Sequence, residues 1–123
     1  MNIEWIKSEK YNSSITVYQN NITFRQNIAK QFQDALGIAI GIDKEEKLLI
    51  FKKITEANKK TLNQVELYQL DFKPSYARLN SKKVVELLNS LVVEKENKNC
   101  RYKASWDEEK EMLLVYTKEK CDE

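Results

Sequence analysis

A chain of 123 residues is long enough for one domain with its own apolar core and no disulfide or metal staples. A hydrophobic content of 41% excludes a disordered chain, and two Gly and one Pro exclude a Gly-rich phosphate loop. The formal net charge of +2 does not by itself mark a polyanion binder, although residues 1–62 carry 10 basic and 7 acidic side chains and residues 63–123 carry 11 and 12.

Residues 3–7 read as a short strand. A clearer strand follows at 14–19, β-branched and aromatic, with Ile15 and Val17 on one face. Asn20-Asn21 suits a two-residue hairpin turn because Asn tolerates positive φ, and Ile22-Thr23-Phe24 returns as the partner strand. Thr23 and Gln26 have capping-box spacing, and Ile28, Phe32 and Leu36 then form an apolar stripe at i, i+4 and i+8. These predict a helix that Gly37 stops. Residues 38–42 and 48–54, joined by the charged turn 43–47, read as a β-hairpin. Residues 55–64 are polar and aperiodic, a connector.

The same order then recurs. Residues 65–72 pattern as a strand, punctuated by Pro74-Ser75. Asn80-Ser81 offers a helix cap, and Val84, Leu87, Leu88 and Leu91 stand at i, i+3, i+4 and i+7. After a polar loop at 95–99, residues 100–106 and 112–116 flank the charged turn 107–111 as a second hairpin. The chain therefore reads as an α+β fold. Two pseudo-repeated β-helix-β-hairpin units, about 14–54 and 65–117, form one compact single domain around the connector 55–64. One unit alone would expose its hairpin's apolar face, which a second copy would cover.

Over residues 22–54 this order resembles the AbrB/SpoVT-type swapped-hairpin DNA-binding domain. The matching pieces are Ile22-Thr23-Phe24, the helical stripe from Ile28 to Gly37, the strand from Ile38 to Asp43, and Leu48-Leu49-Ile50-Phe51-Lys52-Lys53. Residues 76–116 follow more loosely, with a longer loop before the hairpin. The resemblance implies DNA as a partner and a pseudo-dimer made from one chain. The family places arginines on its first strand and at the helix start. Here only Arg25 and Arg78 stand near helix starts, and residues 14–19 carry no basic side chain.

Nothing in the chain suggests a catalytic site. No His is present, which removes the usual general base and the commonest zinc ligand. Cys100 and Cys121 lack metal-site spacing and read as free thiols. Glu45-Glu46 and Glu108-Glu109 fall in solvated turns, where paired carboxylates have no cleft to split their pKa values. No cofactor is expected. The N-terminal residues lack an apolar signal region and no run approaches a membrane span, so the expected location is cytoplasmic, without membrane contact.

The basic candidates for phosphate contact are Arg25 and Lys30 in the first helix region, Lys52 and Lys53 closing the first hairpin, Lys59 and Lys60 in the connector, and Arg78, Lys82 and Lys83 near the second helix start. The aromatics Trp5, Tyr18, Tyr68, Tyr76, Tyr102 and Trp106 fall on predicted strands, where they would either pack or, beside Arg101 and Lys103, stack unpaired bases. Two functions follow as expectations. One is a non-enzymatic DNA-binding protein, a regulator or a mobile-element accessory factor that anchors phosphates at basic helix starts. The other is a protein-interaction module, an inhibitor or adaptor that docks through a sheet edge or its acidic C-terminal half.

Overall fold

The computed structural model describes residues 2–3, 13–61, 65–92 and 99–121. Residues 4–7 of the expected strand, with Trp5, and residues 95–98 of the expected loop lie outside these residues.

Strands form where large apolar residues alternate with polar ones. β1 (Ser13–Val17) and β2 (Ile22–Arg25) pair antiparallel, with Ile15 opposite Phe24 and Val17 opposite Ile22. All four are buried, so they form one covered face of this pair. The hairpin turns one residue earlier than Asn20-Asn21. The Tyr18 N–H donates to the Asn21 carbonyl (2.8 Å), leaving Gln19 and Asn20 at the tip without positive φ.

The two expected longer hairpins are present: β3 (Gly37–Asp43) with β4 (Leu48–Ile54), and β8 (Cys100–Asp107) with β9 (Met112–Lys120). Their turns share one design. The opening aspartate accepts backbone N–H groups: Asp43 from Glu45 and Glu46 (both 3.1 Å), Asp107 from Lys110 (3.0 Å). The closing residue has positive φ, 58° at Lys47 and 51° at Glu111. β4 and β9 join the hairpins, with Leu49 opposite Val115 and Phe51 opposite Leu113.

Among the described residues, nine strands form one antiparallel sheet in the order β5-β3-β4-β9-β8-β1-β2-β7-β6. β7 is Tyr76–Leu79. The segment 65–72, expected as one strand, supplies both sheet edges: β5 (Leu67–Tyr68) pairs β3, and β6 (Asp71–Phe72) pairs β7. Only Gln69 and Leu70 lie between them. Three Cα–Cα steps span at most about 11 Å, so the two edges approach that closely and the sheet must curl into a half-barrel. Ring contacts agree. β2 and β4 are four strands apart, about 19 Å in a flat sheet. Yet the Phe24 and Phe51 ring centroids lie 5.1 Å apart at 90°.

The concave side holds the core. α1 (Gln26–Ala29) runs into a 3₁₀ turn (Lys30–Phe32), burying Ile28, Ala29 and Phe32. Phe32 meets Phe24 and Trp106 edge to face, with centroids 6.4 and 5.2 Å away. α2 (Lys82–Leu91) buries Val84, Val85, Leu88 and Leu91, and Ser81 caps it by accepting the Val84 N–H (3.3 Å).

This architecture corrects the expected α+β pair of β-helix-β-hairpin units. Strands predominate, and the chain halves interleave: β1 and β2 sit between β8 and β7. The first helix stops early because the Leu36 N–H donates to the Ile54 carbonyl (2.8 Å), which commits the chain to β3 pairing and leaves Leu36 exposed. The Thr23–Gln26 capping box does not form. Thr23 stands within β2 between Thr16 and Arg78, and Arg25 takes the cap position without a side-chain bond. Gly37 is the first residue of β3 rather than a helix stop. A Cβ there would lie 2.9 Å from the Leu67 Cβ, whereas at Gly41 it would meet nothing within 4 Å. Gly37→Ala should therefore lower stability by about 1–3 kcal/mol in urea unfolding, through overpacking against β5. Gly41→Ala should be neutral or slightly stabilising. Equal effects at the two sites would refute tight closure at Gly37.

Candidate functional site

The expected basic residues separate into three groups. Lys53, Lys83 and Lys52 serve the fold. The Lys53 Nζ bonds Asp34 (2.6 Å) and lies 3.7 Å from Glu111, with its side chain only 12% exposed. Lys83 pairs Glu66 (3.1 Å), whose carboxylate also accepts the Tyr68 hydroxyl (2.9 Å). Lys52 donates to the Lys110 carbonyl (2.9 Å) of the neighbouring turn. Lys30 and Lys82 are exposed at the 3₁₀ turn and the α2 start. Arg25 and Arg78 share the convex face of adjacent strands, with Thr23 opposite Arg78 and Arg25 opposite Tyr76. The helix starts thus do not assemble as one basic face, since Lys82 and Lys83 belong to the helix that covers the concave side.

A different cluster appears on the convex wall. Register aligns Arg78 (β7), Thr23 (β2), Thr16 (β1) and Arg101 (β8) in one row across four strands. The next row holds Tyr76 opposite Arg25, and Ser14 opposite Lys103. From Tyr76–Leu79 across to residues 101–105 of β8, every convex-facing side chain is basic, hydroxyl-bearing or aromatic, and none is a carboxylate. Asp71 on β6 borders the patch opposite Arg78 and pairs with Lys73 (3.1 Å). Among the described residues Arg25, Arg78 and Arg101 join no ion pair. Arg78 instead lies over the Tyr76 ring, 5.5 Å from its centroid, and donates to its hydroxyl (3.3 Å).

Beside Arg25 the wall opens into a cleft of about 590 Å³ between β1, β2, the start of α1 and the turn before β7. Thr16, Thr23, Arg25, Gln26, Asn27, Ser75 and Tyr76 line it. The Asn27 side-chain oxygen is 3.5 Å from the Ser13 hydroxyl, which donates to it.

Of the aromatics, Tyr102 is buried on the concave side and Trp106 packs on Phe32. Tyr18 is exposed at the first turn, and burial first, then Glu66, raises the Tyr68 pKa. Tyr76 alone of the described set both faces outward and lines the cleft. Sequence reading missed Thr16, Thr23 and Gln26 and left Arg101 as a mere neighbour of aromatics. Alternation placed Arg101 and Lys103 on one face of β8, but nothing local says that β8 lies next to β1.

Among the described residues no three His, Cys, Asp or Glu side chains gather as a metal site, and Cys100 and Cys121 form no disulfide. No helix among them is long and apolar enough to cross a membrane. No protein-family model, no curated protein and no solved structure matches this chain.

Electrostatics near the hairpins gives a structural prediction. The Lys53 ammonium, by hydrogen bond first and by charge as well, holds the Asp34 carboxyl below its ordinary pKa. A depressed carboxylate stabilises above its unfolded pKa, near 4, and that contribution vanishes as pH falls through the folded value. Asp34→Asn should lower the urea midpoint slightly at pH 7, since Asp34 is exposed and screened, and the offset should shrink as pH falls towards 3. An equal offset at both pH values would assign the effect to packing instead.

Proposed function

We propose that this chain is a non-enzymatic nucleic-acid-binding protein that holds DNA by its phosphates on the convex face of β7, β2, β1 and β8. The single observation in its support is the field of Arg25, Arg78 and Arg101 interleaved with Thr16, Thr23 and Tyr76, in which no outward side chain of β7, β2 or β1 is a carboxylate and Asp71 stands at the β6 border, paired with Lys73. Arginine suits this role because its planar fork bonds phosphate oxygens in pairs. Hydroxyls between the arginines supply neutral phosphate contacts. β7 to β8 spans three strand spacings, about 14 Å, enough for several successive phosphates. The alternative of docking a partner on a sheet edge would use β3 beyond Ala39, since β5 pairs only Ile38 and Ala39 of that strand.

Fluorescence-anisotropy titration of labelled oligonucleotides at several salt concentrations tests the proposal. Affinity should fall with salt, and Arg25→Ala with Arg101→Ala should weaken the salt slope by about 1.4 on single strands or about 1.8 on duplex. Lys53→Ala should leave that slope unchanged, because its charge is already neutralised. Absence of binding at low salt, or a double variant indistinguishable from wild type, would overturn the proposal.

A further inference from the structure

We infer that this face takes single-stranded rather than double-stranded nucleic acid, with one unpaired base seated in the cleft and stacked on Tyr76. The inference rests on the nucleic-acid reading above and deepens it.

Shape is the first reason. The arginines stand on the outside of a sheet curled tightly enough to bring Phe24 and Phe51 into contact across its interior. A duplex is itself a convex cylinder, so two convex surfaces meet along a short line and share few phosphates. A flexible single strand follows the curved row from Arg78 past Thr23 and Thr16 to Arg101.

The cleft is the second. At about 590 Å³ it accommodates a base with its sugar, and it opens at Arg25, within the same phosphate-binding field. Its lining suits a base. Tyr76 offers a ring to stack on, and Gln26 offers a carboxamide that both donates and accepts, as base edges require. Gln26 is exposed and, among the described residues, spends neither function within the protein. Arg78 is not among the lining residues. It backs the Tyr76 ring from outside the cleft (5.5 Å) and ties its hydroxyl (3.3 Å), so it acts as a positioning residue for the stacking platform. A duplex could fill such a cleft only by extruding a base, whereas a single strand has bases already free.

Competition among four ligands of equal length tests this: a single-stranded DNA, a single-stranded RNA, a duplex, and a single strand carrying abasic sites. Either single strand should bind at least about tenfold more tightly than the duplex, and the better one identifies the natural strand. Tyr76→Leu should cost about tenfold or more on that strand and little on the abasic one. Tyr76→Phe should retain binding, and Gln26→Ala should lose part of it without change in the circular dichroism spectrum. Equal affinity for duplex and single strand, or equal losses on normal and abasic strands, would overturn the inference. If the Arg25 and Arg101 salt effect persisted in that case, the nucleic-acid reading would survive alone. Failure of every ligand to bind would overturn both.

Discussion

Gln69 and Leu70 are all that separates the pairing of Tyr68 with β3 from the pairing of Asp71 with β7, and the curvature of the whole sheet depends on that short link. Seven other strands lie between those two edges. Their only way to keep both ends within one short peptide is to curl, and curling creates an inside. Gly37 and the Gln69 amide, which donates to the Leu36 carbonyl (2.6 Å), fasten the link where β3 begins. A side chain at Gly37 would push β5 away, so a single missing Cβ takes part in closing the structure.

The inside is filled by residues from many strands and two helical segments rather than by two separate cores. Phe24, Phe32, Phe51 and Trp106 form a chain of edge-to-face contacts across it. Because the sheet is covered on its concave side, alternation along β7, β2, β1 and β8 sends every second side chain to the outside. The same registry that brings Ile22, Phe24, Ile15 and Tyr102 together inside brings Arg78, Thr23, Thr16 and Arg101 into one row outside. Core and candidate site are therefore two faces of one pairing pattern, and a register slip would destroy both.

The charges divide by geometry rather than by position in the chain. Lys53 and Lys83 stand close enough to carboxylates to be neutralised, and Lys52 is tied to a turn carbonyl. Arg25 instead lines the cleft with Thr16, Thr23 and Ser75, and Arg101 stands opposite Thr16. The mild basic excess of residues 1–62 is thus a poor guide, since the candidate face draws Arg78 and Arg101 from the acidic half of the chain.

Local pattern was sufficient for β1, β2, the two longer hairpins with their turns, and the second helix. Period-two alternation marks β1 and β8, an apolar run marks β9, the aspartate-led turns at 43–47 and 107–111 bond their own backbones, and Ser81 caps α2 through a contact three residues away. All of these depend on interactions within a few residues. The first helix was overextended, because its stripe ran on to Leu36 while a bond to Ile54 ended the helix earlier. The split of residues 65–72 between two edges, the insertion of β1 and β2 between β8 and β7, and hence the row of arginines, were decided only by the tertiary structure. Strand order is set by pairing between residues tens of positions apart, and an alternating sequence says which side chains share a face without saying which strand lies beside it.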